Sequence, residues 1–174
     1  MSEISIRTAT ADDTPVLAER DRHIAEDLLR KKINEGEYLV VYDGEVFIGW
    51  LRWNLFWDNT PFMNMLFLMP EYRGKGLGKQ LALFWENQMK AGGYKAIMTS
   101  TQQTGFAQRF YIALGYKATG GFIPSGESYE IIFVKELDTT PRFRLPAEDD
   151  WYGLELEGIE NMTDENFSIE ALEI

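Results

Sequence analysis

At Pro70 the hydrophobic pattern of the chain changes its period, and this change limits the possible folds more than any other feature. Phe62 to Met69 form an almost continuous apolar run closed by Pro70, which predicts a strand buried on both faces rather than one facing water. Beyond it Lys79, Gln80, Leu81, Leu83, Phe84, Met89 and Lys90 follow a helical spacing that stops at Gly92-Gly93. For a strand covered on both sides and joined directly to an amphipathic helix, a single sheet covered on both faces is the economical architecture.

The flanking sequence completes the pattern. Ile4 to Thr8 alternate as a strand, Thr10-Ala11-Asp12-Asp13 offer N-cap candidates, and apolar residues from Val16 to Ile33 recur at helical spacing as one or two helices. Tyr38 to Tyr42 and Val46 to Leu55 flank an Asp43-Gly44 turn and predict a hairpin. Asn59-Thr60-Pro61 reads as a loop. Lys95 to Ser100 suits another strand, Phe106 to Ala113 a short helix, and Tyr116-Lys117 with Glu130 to Lys135 a final strand pair. The expected order is β-αα-βββ-α-β-α-ββ, an α/β fold with one mixed sheet.

A length of 174 residues accommodates one main domain, and 45% hydrophobic with 14% aromatic residues excludes a wholly disordered chain. The absence of cysteine removes disulfides, thiolate nucleophiles and cysteine-ligated metals. No metal site is expected. The one histidine, His23, shares helical spacing with Ile24 and Leu28 and reads as structural. With no signal-peptide layout and no apolar run near membrane-spanning length, a cytoplasmic protein with no membrane partner is expected. Of the 28 acidic side chains, 11 lie in residues 138–174 with only 2 basic ones, so acidity concentrates in a C-terminal extension to a domain of residues 1–137. A pI near 4.6 argues against a nucleic-acid partner and favours a cationic one. The extension also carries Trp151, Tyr152, Leu154, Leu156, Ile159 and Phe167, apolar side chains expected to pack on the body or on a second subunit as a homodimer.

The segment Arg73-Gly74-Lys75-Gly76-Leu77-Gly78-Lys79 carries the most chemistry. Its glycines admit close backbone approach, the following helix start offers unpaired N–H groups, and Arg73, Lys75 and Lys79 add positive charge, a combination suited to pyrophosphate. Lys79 stands where a dinucleotide fingerprint needs its third glycine, and Gln80 follows Gly78-Lys79 where a nucleoside-triphosphate loop needs Ser or Thr. Neither pattern applies. A glycine-rich turn with solvated lysines is the structural alternative.

Residues 63–79 resemble the signature of the GNAT superfamily of N-acetyltransferases, whose Arg/Gln-x-x-Gly-x-Gly/Ala loop falls on Arg73, Gly76 and Gly78. A second family segment falls on Ala107, Phe110, Tyr111, Leu114, Gly115 and Tyr116. The resemblance covers about residues 3–137. It implies a splayed sheet with acetyl-CoA between the two central parallel strands, its pantetheine arm pairing near Leu66, Phe67 and Leu68, and its pyrophosphate on Arg73 to Lys79. It also implies that Tyr111 protonates the departing thiolate and that Thr104, where the family often has asparagine, lies near the pantetheine. Many members carry a glutamate where this chain has Asn64, and an amide cannot act as a base. Trp57-Asp58-Asn59 borders the region that holds the acceptor in the family, which makes Asp58 a candidate contact or water-relayed base beside a structural turn role. The expected activity is direct acetyl transfer to a small-molecule or peptide amine in a ternary complex. A non-catalytic acyl-CoA-binding module is the rival.

Overall fold

The computed structural model describes residues 3–105 and 107–137; the expectations for the acidic extension lie outside them. The elements follow in the order β1 (Ile4–Thr8), α1 (Thr14–Arg20), α2 (Glu26–Asn34), β2 (Tyr38–Asp43), β3 (Val46–Phe56), β4 (Thr60–Leu68), α3 (Leu77–Ala91), β5 (Ala96–Gln102), α4 (Ala107–Ala113), β6 (Lys117–Phe122) and β7 (Glu130–Glu136). Short 3-10 turns precede α1 and α3. Among the described residues the strands make one sheet in the order β1-β2-β3-β4-β5-β7-β6, and no helix there is long and apolar enough to cross a membrane.

Alternation along the strands feeds two cores. Leu39, Val41, Ile48, Leu51, Met63 and Leu68 pack with Leu81, Trp85 and Met89 of α3 and Tyr111 of α4. Tyr38, Val40 and Trp50 pack on the other face with Leu17 of α1 and with Leu29 and Ile33 of α2. Apart from Thr60 and the exposed Asn64, β4 is apolar because it serves both.

β4 and β5 are the parallel pair, and they pair only at Phe62↔Met98 and Met63↔Thr99. A bulge lies at the same level: Arg52 faces Met65 and Trp53 faces Met63, so Asn64 has no partner on β3. Bulges raise local twist and turn a strand away from its neighbour, and beyond Met63 the two strands diverge. The sheet is splayed.

Two details differ from the sequence expectation. The apolar run from Val16 to Ile33 forms two helices, as the αα order has it, but His23, expected at helical spacing with Ile24 and Leu28, is exposed in the Asp21–Ala25 connection between them. The buried Asp21 carboxylate stops α1 there, accepting Tyr38 Oη and Arg52 Nε at 2.9 Å each. Asn59-Thr60-Pro61 is not all loop either, since β4 begins at Thr60 and Pro61 pairs with Leu55. Pro61 is tolerated because pairing with β5 begins only at Phe62.

Candidate functional site

The chain leaves β4 at Leu68, makes the Pro70–Tyr72 turn and enters α3 through Gly76 in the left-handed conformation, φ 81°. A side chain at this φ is strained. No side chain caps this end of α3, and the first intrahelical bond runs from Gln80 N to Gly76 O at 3.1 Å. The N–H groups of Leu77, Gly78 and Lys79 therefore precede the helical ladder at the positive end of a 15-residue helix.

In front of them lies a cleft of about 390 Å³ lined by Leu66, Phe67, Leu68, Arg73, Gly74, Gly76, Gly78, Lys79 and Phe110. Arg73 is part of its wall: Nε donates to the Leu68 carbonyl at 2.8 Å and the guanidinium lies 5.0 Å from the Phe67 ring centre. Only its terminal nitrogens can serve a ligand. An apolar channel on the strand side and uncapped N–H groups with Lys79 on the helix side suit a molecule that joins an apolar arm to a phosphate.

Tyr111 marks the apex of the splay. It is 7% exposed, and its hydroxyl approaches Met63 Sδ at 3.9 Å. Thr99 Oγ1 donates to the Met63 carbonyl at 3.0 Å, tying β4 to β5 at their last paired residues. Burial is the main cause that raises the Tyr111 phenol above its ordinary value; a hydrogen bond with Thr99 opposes the rise and the Glu130 carboxylate adds to it. The phenol keeps its proton at neutral pH and can donate it.

Eight of the eleven residues expected at the cofactor line the cleft. Lys75 stands outside it, its Nζ 5.4 Å from the Tyr72 ring centre. Leu77 turns into the core, and Thr104 is exposed on the turn after β5. Asp58 is not brought to Tyr111. It occupies the β3–β4 hairpin tip with Trp57, at φ 59° and 49°, and Trp57 is 81% exposed. At ~3.3 Å per residue, Thr60 stands roughly 10 Å along β4 from Met63 and Asp58 lies beyond it. Too distant to share a proton with the Tyr111 hydroxyl, Asp58 keeps the turn role. Sequence reasoning missed Phe110 as a cleft wall, although it adjoins Tyr111 in the second family segment. It also missed Met63 and Thr99, which only strand register places at the phenol.

Residues 4–116 match the model of the Acetyltransferase (GNAT) family. Among solved structures, the PaiA N-acetyltransferase of Thermoplasma acidophilum in complex with coenzyme A is 18% identical, with 77% of this chain and 99% of that chain covered and a TM-score of 0.61. The ribosomal-protein-S18-alanine N-acetyltransferase of Escherichia coli is 15% identical, covering 81% and 98%, with a TM-score of 0.64. YncA of Salmonella typhimurium, solved with its cofactor acetyl-CoA, is 18% identical, covering 79% and 96%, with a TM-score of 0.65. No curated protein matches the chain. With the family model spanning both the phosphate-suited loop and Tyr111, the chain belongs to the GNAT family of acetyltransferases.

Proposed function

We propose that the chain moves an acetyl group from acetyl-CoA to a primary amine, directly and within a ternary complex. The observation that carries this reading is the position of the Tyr111 hydroxyl at the last β4–β5 pair, where the two strands part beside the cleft. Acetyl-CoA supplies an activated thioester. Leu66 to Leu68 would flank its apolar arm, while the N–H groups at the start of α3, with Lys79 and the ends of Arg73, would hold its pyrophosphate. Tyr111 would give its proton to the departing thiolate, a task that a raised phenol pKa permits. Direct attack by the amine needs no covalent enzyme intermediate, and the chain has neither cysteine nor a Gly-x-Ser-x-Gly nucleophile motif to form one.

Coenzyme A and acetyl-CoA in structurally similar proteins support the choice of co-substrate. An amine acceptor is supported by the S18-alanine N-acetyltransferase, which shares the fold. The net charge of −11 favours a cationic one. The exposed Asn64 amide, which cannot act as a base, favours the rival reading of an acyl-CoA-binding module. Mixing the chain with acetyl-CoA and a panel of alkylamines, polyamines and peptide amines, and following thiol release, decides between them. Amine-dependent release with matching acetylated product is expected; tight binding without release across the panel would establish the module instead.

A further inference from the structure

Of the basic residues in the glycine-rich loop, Arg73 and Lys79 line the cleft and Lys75 does not, although its neighbours Gly74 and Gly76 do. Both glycines are left-handed, at φ 72° and 81°, so the backbone turns on either side of Lys75. The exposed lysine nevertheless has a defined seat, with Nζ 5.4 Å from the ring centre of Tyr72. None of the ion pairs among the described residues uses it.

The seat is itself anchored. The Tyr72 ring packs against the α3/α4 core, and its hydroxyl donates to Asp43 Oδ2 at 3.2 Å. Asp43 ends β2, where the chain turns into β3. Its other carboxylate oxygen is buried with no partner among the described residues, a costly arrangement, and the bond from Tyr72 is the one that its side chain makes there. A contact between the β2–β3 hairpin and the glycine-rich loop thus fixes the ring on which Lys75 lies.

Acetyl-CoA carries a pyrophosphate and a separate phosphate on its ribose. The uncapped N–H groups of α3, with Arg73 and Lys79, answer to the first, and Lys75 is the basic residue of the loop that they leave over. The apolar arm would follow Leu66 to Leu68, so the nucleotide would leave the pyrophosphate at the rim formed by Gly74 and Gly76. Resting on acetyl-CoA as the co-substrate, we propose that Lys75 takes the ribose phosphate and that Asp43, acting through Tyr72, is a positioning residue that holds the seat of the lysine. Lys75 touches the ligand; Asp43 does not. The chain therefore distinguishes coenzyme A from dephospho-coenzyme A, which has the same arm and the same pyrophosphate.

Calorimetric titration with these two ligands at low salt, where a surface charge is least screened, reads the difference. Wild type is expected to bind coenzyme A about fivefold tighter than dephospho-coenzyme A. Lys75→Met should erase this preference and leave affinity for dephospho-coenzyme A unchanged, while Lys79→Met, which alters the cleft, should weaken both ligands alike. Asp43→Ala should reduce the preference, and Asp43→Asn, whose amide oxygen still accepts the Tyr72 hydroxyl, should restore it. No preference in wild type, an unchanged preference in Lys75→Met, equal weakening of both ligands by Lys75→Met, or the same loss of preference in Lys79→Met would overturn the role of Lys75 while leaving coenzyme binding at α3 intact. A full preference in Asp43→Ala would overturn the positioning role of Asp43. A wild type that binds neither ligand would overturn the acetyl-CoA reading and this one with it.

Discussion

Tyr111 is one of the larger side chains of the α3/α4 core, and its hydroxyl also meets Met63, at the last pair before β4 and β5 part. Packing and chemistry therefore separate in one substitution. Tyr111→Phe keeps the ring contacts with Phe110, Tyr116 and Phe133 and removes the proton, so turnover is expected to fall about 10²-fold at nearly unchanged acetyl-CoA affinity. A loss confined to affinity would make it a packing residue. Asp13 is the structural counterpart. It is 2% exposed and accepts Arg7 through both guanidinium ends at 2.7 and 2.8 Å, Tyr42 Oη at 2.8 Å and Thr10 N at 2.7 Å. Burial alone would raise its pKa; the hydrogen bonds, led by Arg7, hold it at about 2. Because this lies below the ordinary value of 3.8, the stabilisation is complete above that value and is lost as pH falls toward 2. Allowing for solvent screening at the half-exposed Arg7, Asp13→Asn should cost about 1–2 kcal/mol at pH 7. The difference from wild type in thermal midpoint should close between pH 4 and pH 2. Neither Asp13 nor Asp21 was legible as a buried anchor, because sequence places carboxylates at helix boundaries without showing which arginine or tyrosine the fold brings to them.

Helices and buried strands were legible where an apolar face repeats, and illegible where it does not. β6 is exposed along its whole length and contains Gly120-Gly121, so neither alternation nor propensity marks it past Lys117. The β3–β4 hairpin hides Thr60 and Pro61 behind residues that usually make loops. Gly49 is a constraint that only the folded sheet exposes: a Cβ there would stand 2.4 Å from the Phe67 carbonyl oxygen and 2.6 Å from Leu68 Cδ2. Gly49→Ala should destabilise the protein by about 1–3 kcal/mol, read by denaturant unfolding. It should also weaken acetyl-CoA, because Phe67 and Leu68 line the cleft. Unchanged stability would show that β3 and β4 can part locally.

For the whole molecule, the fold follows from a strand apolar on both faces, and the site follows from that strand losing its parallel neighbour after two pairs. The sequence indicated the loop and the tyrosine in separate segments, while their convergence on one opening depends on the Asn64 bulge, which has no sequence signature of its own. The central claim is that this opening holds acetyl-CoA with its pyrophosphate at the start of α3. Calorimetric titration of acetyl-CoA into wild type and Gly76→Val tests it most directly, because a valine at φ 81° forces the loop out of shape. One site per chain in wild type, and affinity at least about tenfold weaker (about 1.4 kcal/mol) in the folded variant, are expected. No binding by wild type, or equal affinity in a folded Gly76→Val, would contradict the account.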